Sequence, residues 1–219
     1  MKKLIIGNWK MNGNISLVNA FIDSIHHENV VIGLPSIFIA YTHLKNMNLK
    51  IAGQDCSIYK ENGAHTGEIS ANMLKESGAE YVIIGHSERR ATSAFDSIPN
   101  ILKKLNNAID SGLIPVLCVD ENYETLLDDE TKKILKENKD NVILAYEPLS
   151  AIGTGIVPTC EEIQNVIATI KEKFFGIKTL YGGSVNSKNS KDILDIESLD
   201  GVLIGGASLK LSELKEIIG

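Results

Sequence analysis

The chain has no apolar run approaching the roughly 20 residues that a membrane-spanning helix needs. No secretory leader is expected. The opening M-K-K-L-I-I-G-N-W-K is basic and briefly apolar, but polar residues follow at once. Cysteine is scarce. Cys56, Cys118 and Cys160 lie far apart, and their spacing fits neither a Cys-x-x-Cys metal site nor a disulfide framework. That pattern points to a reducing compartment, the cytoplasm. An excess of positive charge is also missing. A formal net charge of −6 counts against nucleic acid and anionic membranes as partners. It leaves room for a small anionic substrate, since one local cation decides that. No stretch resembles an inter-domain linker, so residues 1–219 read as one domain.

What is present is a regular alternation. Short apolar runs recur at 4–7, 30–34, 51–53, 81–85, 115–119, 142–146, 179–181 and 202–204. Segments of helical character separate them. Residues 15–26 place Leu17, Val18, Phe21, Ile22 and Ile25 on one face, with His26 and His27 on the helix surface. Residues 38–44, 70–77, 98–109 and 123–137 are further helices, and the last begins near Ser212. Thr159 and Glu162 form a capping box that opens a helix running to about Phe174. Continuous apolar strands imply a parallel sheet covered on its outer face. Eight such units predict an α/β fold of the closed (β/α)8 barrel type. The rival open sheet usually carries G-x-G-x-x-G after its first strand, where this chain reads G-N-W-K-M-N-G.

In such barrels chemistry sits where strands end. Asn8 and Lys10 follow the first strand. His86, Ser87, Glu88, Arg89 and Arg90 follow the fourth. Glu147 follows the sixth, ahead of Pro148 and the glycines Gly153 and Gly155. Gly182, Gly183 and Ser184 follow the seventh, and Gly205 and Gly206 the eighth. Each has an ordinary alternative: a surface lysine, a structural histidine, a tight turn, ion pairs within Glu88-Arg89-Arg90, a small buried Cys118. Together they place a cation, an imidazole, a carboxylate and Gly-rich turns on one face. Gly-rich backbone at such ends suits a phosphate.

At these residues the chain resembles the triosephosphate isomerase family over nearly its whole length. The matching stretches are N-W-K-M-N-G at 8–13, G-A-H-T-G-E at 63–68, and I-G-H-S-E-R-R at 84–90. They continue with A-Y-E-P at 145–148, A-I-G-T-G at 151–155, Y-G-G-S at 181–184 and G-G-A-S-L at 205–209. Three departures stand out. The region after strand five, 123–141, is shorter than in the family. Ser150 stands where the family usually has tryptophan at the start of a lid, and Asp120 where it commonly has glycine.

The resemblance implies a TIM barrel that interconverts dihydroxyacetone phosphate and D-glyceraldehyde 3-phosphate through an enediolate, in glycolysis and gluconeogenesis. It implies Glu147 as the base, His86 as a hydrogen-bond donor to the reacting oxygen, and Lys10 and Asn8 as charge-neutralising and orienting groups. Gly153, Ser184, Gly205 and Gly206 would hold the phosphate, residues 148–155 would close as a lid, and no metal or cofactor would be needed. It further implies a homodimer in which the polar loop 55–67, with Thr66, docks beside Met11 of a twin subunit. Another phosphate-handling barrel enzyme, or a barrel kept as an interaction protein, are the competing readings.

Overall fold

The computed structural model describes residues 2–92, 96–148 and 157–219. Its centre is a closed barrel of eight parallel strands in chain order. They are β1 (Leu4–Asn8), β2 (Val30–Gly33), β3 (Lys50–Gly53) and β4 (Tyr81–Ile84), then β5 (Ile114–Val119), β6 (Ile143–Tyr146), β7 (Lys178–Tyr181) and β8 (Gly201–Ile204). β8 closes on β1 in a register running from Leu4 with Gly201 to Gly7 with Ile204.

The strands are mostly apolar and buried on both faces; the lysines Lys50 and Lys178 stand only at strand starts. Side chains alternate across a strand, and the alternation divides the core in two. Ile6, Val31, Ile83, Val116, Cys118, Ala145 and Leu203 fill the barrel interior. Ile5, Ile32, Val82, Leu117 and Leu144 point outward into the layer shared with the helices. Each buried aliphatic side chain contributes about 1.5–3 kcal/mol. The closed sheet therefore holds the strand ends, and whatever follows them, on a stiff ring.

The outer layer consists of α1 (Ile15–Ile22), α2 (Ser36–Lys45), α3 (Ala71–Glu76), α4 (Ser87–Thr92) and α5 (Ile98–Asp110). After these come α6 (Tyr123–Leu126), α7 (Asp129–Glu137), α8 (Cys160–Lys173), α9 (Ser190–Leu194) and α10 (Leu211–Ile218). α1 starts where the Asn14 side chain accepts the Leu17 N–H, and it buries Val18, Phe21 and Ile22. It stops earlier than expected. Ile25 remains buried beyond its end, but His26 and His27 lie exposed past the helix rather than on it.

The expected helix over 123–137 is two. Asp128 breaks it by acting as the cap of α7: its carboxylate accepts the N–H and hydroxyl of Thr131. A side chain that satisfies an orphan N–H competes with helix continuation. α8 has the reciprocal cap read from sequence, with Thr159 Oγ1 accepting the Glu162 N–H and Glu162 accepting the Thr159 N–H. Loop 55–67 has no helix or strand, and its Tyr59 and His65 rings stack with centroids 3.5 Å apart. The lid stretch with Ser150 and Gly153 lies outside the described residues. Among the described residues no helix is long and apolar enough to cross a membrane.

Candidate active site

The exit from β1 is fastened before it delivers its functional groups. Trp9 is fully buried, with its ring edge-on to Phe21 at 4.8 Å, and Asn12 donates from Nδ2 to the Trp9 carbonyl. Between these anchors Lys10 takes a left-handed backbone (φ 53°), which costs an ordinary side chain of order 1–3 kcal/mol. Its N–H donates to Asn8 Oδ1 at 3.0 Å. The turn carries the amine over the barrel mouth, where Nζ lies 2.5 Å from Glu88 Oε1.

β4 ends at Ile84. Gly85 then takes φ 69°, a left-handed conformation glycine adopts without strain, and His86 follows as the lead into α4. The Glu88 N–H points at His86 Nδ1 at 3.2 Å. A backbone N–H can only donate, so Nδ1 is the acceptor and the ring proton of the neutral imidazole sits on Nε2. Burial is the main cause that lowers the His86 pKa to about 4; Lys10 and Arg90 add to it and Glu88 opposes it. At neutral pH the ring is an uncharged donor, with Nε2 3.2 Å from Glu147 Oε1.

Glu147 leaves β6 with its N–H donated to the Val119 carbonyl at 2.7 Å. It is 2% exposed. The Ser87 N–H donates to its Oε2 at 3.4 Å. Burial raises its pKa to about 7, against the downward pull of that N–H, Arg90, the Cys118 thiol and Lys10. A carboxylate poised there accepts a proton more readily than an exposed one. β7 must make room for it. A Cβ on Gly182 would come 2.7 Å from Glu147 Cγ, so only glycine fits beside the carboxylate stem.

These groups share a cavity of about 360 Å³, lined by Asn8, Lys10, His86, Glu147, Gly182, Gly183, Ser184, Gly205 and Gly206. Gly205 and Gly206 lead into a 3-10 turn, Gly206–Leu209. Nothing lies within 4 Å of where a Gly206 Cβ would stand, and Lys10 Nζ lies 3.9 Å from where a Gly205 Cβ would stand. Exposed backbone beside a cation makes a corner chemically suited to an anion. Of the expected site residues, only Gly153 falls outside the described residues. A second opening of about 540 Å³ shares Asn8, Lys10 and His86 and continues past Met11, Ser57 and Gly67. Met11 is 97% exposed there, and Thr66 is exposed on the loop that borders it.

The expected ion pairs within Glu88-Arg89-Arg90 form with other parts of the chain. Glu88 meets Lys10, Arg89 meets Asp55 and Asp96, and Arg90 meets Asp120. Lys104 of α5 is buried against Asp55 and Asp96. Cys118 is buried as expected, yet its thiol touches the carboxylate of Glu147, a contact the sequence reading did not assign. Counting alternate positions along β5 would have found it, because Cys118 shares the inward face with Val116.

A family model described as triosephosphate isomerase matches residues 3–219. A triosephosphate isomerase of Alkaliphilus oremlandii (strain OhILAs) is 39% identical over 246 residues, covering 99% of this chain and 98% of that protein. Another, of Francisella tularensis subsp. holarctica (strain LVS), is 37% identical over 247 residues, covering 100% of this chain and 96% of that protein. The crystal structure of triosephosphate isomerase from Bartonella henselae superposes with a TM-score of 0.81 at 32% identity, covering 99% of this chain and 98% of that one.

Proposed function

The chain belongs to the triosephosphate isomerase family, and from that premise we propose that Glu147 is the base of its reaction, with His86, Lys10 and Asn8 as its electrostatic partners. The reaction is the interconversion of triose phosphates in glycolysis. It moves one proton between adjacent carbons. In our reading the Glu147 carboxylate takes the proton from one carbon, and the electron pair left behind shifts toward the carbonyl, giving an enediolate. The same carboxyl then returns the proton to the neighbouring carbon, while the hydroxyl proton passes from the oxygen that becomes the carbonyl to the oxygen that becomes the hydroxyl. A placed acid–base group of this kind contributes roughly 10²–10⁴-fold.

His86 Nε2–H donates to the enediolate oxygen, and as a neutral imidazole it does so without becoming a permanent counter-charge. Lys10 balances the developing negative charge, and Asn8 orients the oxygens. Ser184, Gly205, Gly206 and, from the lid, Gly153 hold the phosphate by backbone donors. Contacts to this remote, unreacting group supply binding energy for orientation at the reacting carbons. The single observation that carries this reading is the facing pair. His86 Nε2, the nitrogen left with the proton, lies 3.2 Å from the carboxylate of Glu147 inside one cavity. A coupled assay with glyceraldehyde 3-phosphate tests it. Turnover in the parent protein and its loss in Glu147→Gln, with a phosphate-bearing inhibitor still bound, are expected. Activity in the variant would remove Glu147 from the role.

The same reading extends to assembly. The nearly full exposure of Met11, and the exposed loop 55–67 with Thr66 at the rim of the second opening, support a homodimer in which each loop braces the partner's Lys10 turn. Three free cysteines, two of them buried, support a cytoplasmic location, which fractionation of cells would check.

A further inference from the structure

Behind Glu147 lies a cation that this reaction scheme does not use. Arg90, on α4, donates from Nη1 to the carbonyl oxygens of Gly85 at 2.8 Å and Cys118 at 2.9 Å. Its Nη2 donates to Asp120 Oδ2 at 2.7 Å. Gly85 directly precedes His86. Cys118 directly precedes Val119, whose carbonyl accepts the Glu147 N–H. One guanidinium therefore joins the end of β4, which carries the imidazole, to the end of β5, which supports the base. Asp120 is itself held on both sides, because its Oδ1 accepts the Asn122 N–H at 2.7 Å. The Arg90 and Asp120 side chains are only 18% and 15% exposed, so water and salt screen them weakly.

We propose that Asp120 is a positioning residue for this reaction: it clasps Arg90 between β4 and β5 and balances the guanidinium charge where that charge faces Glu147. The proposal rests on Glu147 being the base. Several groups face that carboxylate. His86 comes from the end of β4 and the Ser87 N–H and Arg90 from α4. Cys118 comes from β5 and Lys10 from the turn after β1, while β7 offers the uncharged Gly182. Two of these are cations, and each is tied to an acid: Lys10 to Glu88 and Arg90 to Asp120. A paired charge acts at a distance as a dipole, whose field falls off faster than that of a lone charge. An unbalanced guanidinium nearby would favour the ionised carboxylate and make it a weaker base. Balanced, it leaves burial as the dominant influence on Glu147.

The test is the titration of Glu147 itself, followed by NMR of 13C-labelled glutamate carboxyls and assigned by the signal missing in Glu147→Gln. It is run alongside the pH profile of kcat/KM. Asp120→Asn keeps the side-chain shape and the acceptor for the Asn122 N–H. It should move the Glu147 midpoint, and the acid limb of the rate profile, down by about half to one pH unit. Arg90→Met should move both up, and the double variant should return toward the parent, a restoration that lost packing alone does not produce. An unchanged midpoint in Asp120→Asn overturns the proposal, as does a double variant no closer to the parent than Arg90→Met. If Arg90→Met fails to fold, Asp120→Asn decides alone. A midpoint that moves while the rate profile stays fixed instead removes Glu147 from the role of base, and the role of Asp120 in the reaction goes with it.

Discussion

Glu147→Gln should do two opposite things: stop the reaction and stabilise the protein at alkaline pH. The rate should fall by about 10²-fold or more, because the amide cannot accept the proton. The stability change follows from linkage. Burial raises the Glu147 pKa from 4.5 to about 7. Between these values the folded chain holds a proton that the unfolded chain has released. The favourable contribution of this site is therefore complete below pH 4.5, and it is lost as pH rises through about 7. At roughly 1.4 kcal/mol per pKa unit, ionising the buried carboxylate costs about 3 kcal/mol of folding free energy at pH 8. Glutamine carries no such cost. Urea titrations of both proteins at one fixed concentration should show the stability difference shifting in favour of the variant by about 2 kcal/mol between pH 5 and pH 8. His86 works in the other direction, since its lowered pKa removes stability as pH falls below 6.5. The two groups are in contact, so His86 is titrated by NMR in both proteins and its contribution subtracted before they are compared. A stability difference independent of pH would refute the claim that desolvation tunes this carboxylate.

Lys10→Met should reduce kcat/KM severely, because Lys10 is the cation beside the Gly205 and Gly206 corner; wild-type kinetics in the purified variant would remove it from the site. Gly182→Ala should displace the Glu147 stem, since the new Cβ would stand 2.7 Å from Cγ, and should lower kcat more than it lowers thermal stability; unaltered kcat would show that the carboxylate has slack the structure does not indicate. Thr66→Arg should place a charge on the loop proposed to dock in the partner and lower both mass and activity in light scattering and assay. A fully active species at monomer mass would defeat the link between pairing and catalysis.

The barrel was legible because eight short, nearly continuous apolar runs recur along the chain, a pattern that survives without knowing any contact. The strand ends then placed Asn8, Lys10, His86 and Glu147 in one cavity with little further information. What stayed hidden depends on residues distant in the chain. Arg90 meets a carboxylate thirty positions on, and nothing in the local pattern distinguishes it from its neighbour Arg89. Lys104 stands on the buried face of α5 with Ile101, Leu105 and Ala108, and its partners Asp55 and Asp96 reach it from outside the helix, which no local pattern reveals. The split within 123–137 had a local cause that the helical pattern masked: the carboxylate of Asp128 outcompetes continuation of the helix.

The pairing of β8 with β1 also bears on the order in which this protein can become itself. As the chain is synthesised from its N-terminus, seven strands can pair with their predecessors, but each such intermediate keeps two unsatisfied edges. The turn carrying Lys10 belongs to one edge strand and the glycine corner at 205–206 to the other. No shorter piece of chain brings these two halves of the anion corner together. Their meeting is a contact of nearly maximal sequence separation, the kind that forms slowly and late. If this corner holds the phosphate as proposed, binding of a phosphate-bearing ligand reports closure of the whole ring, and a ligand that favours the closed form would act as a fastener across its final seam.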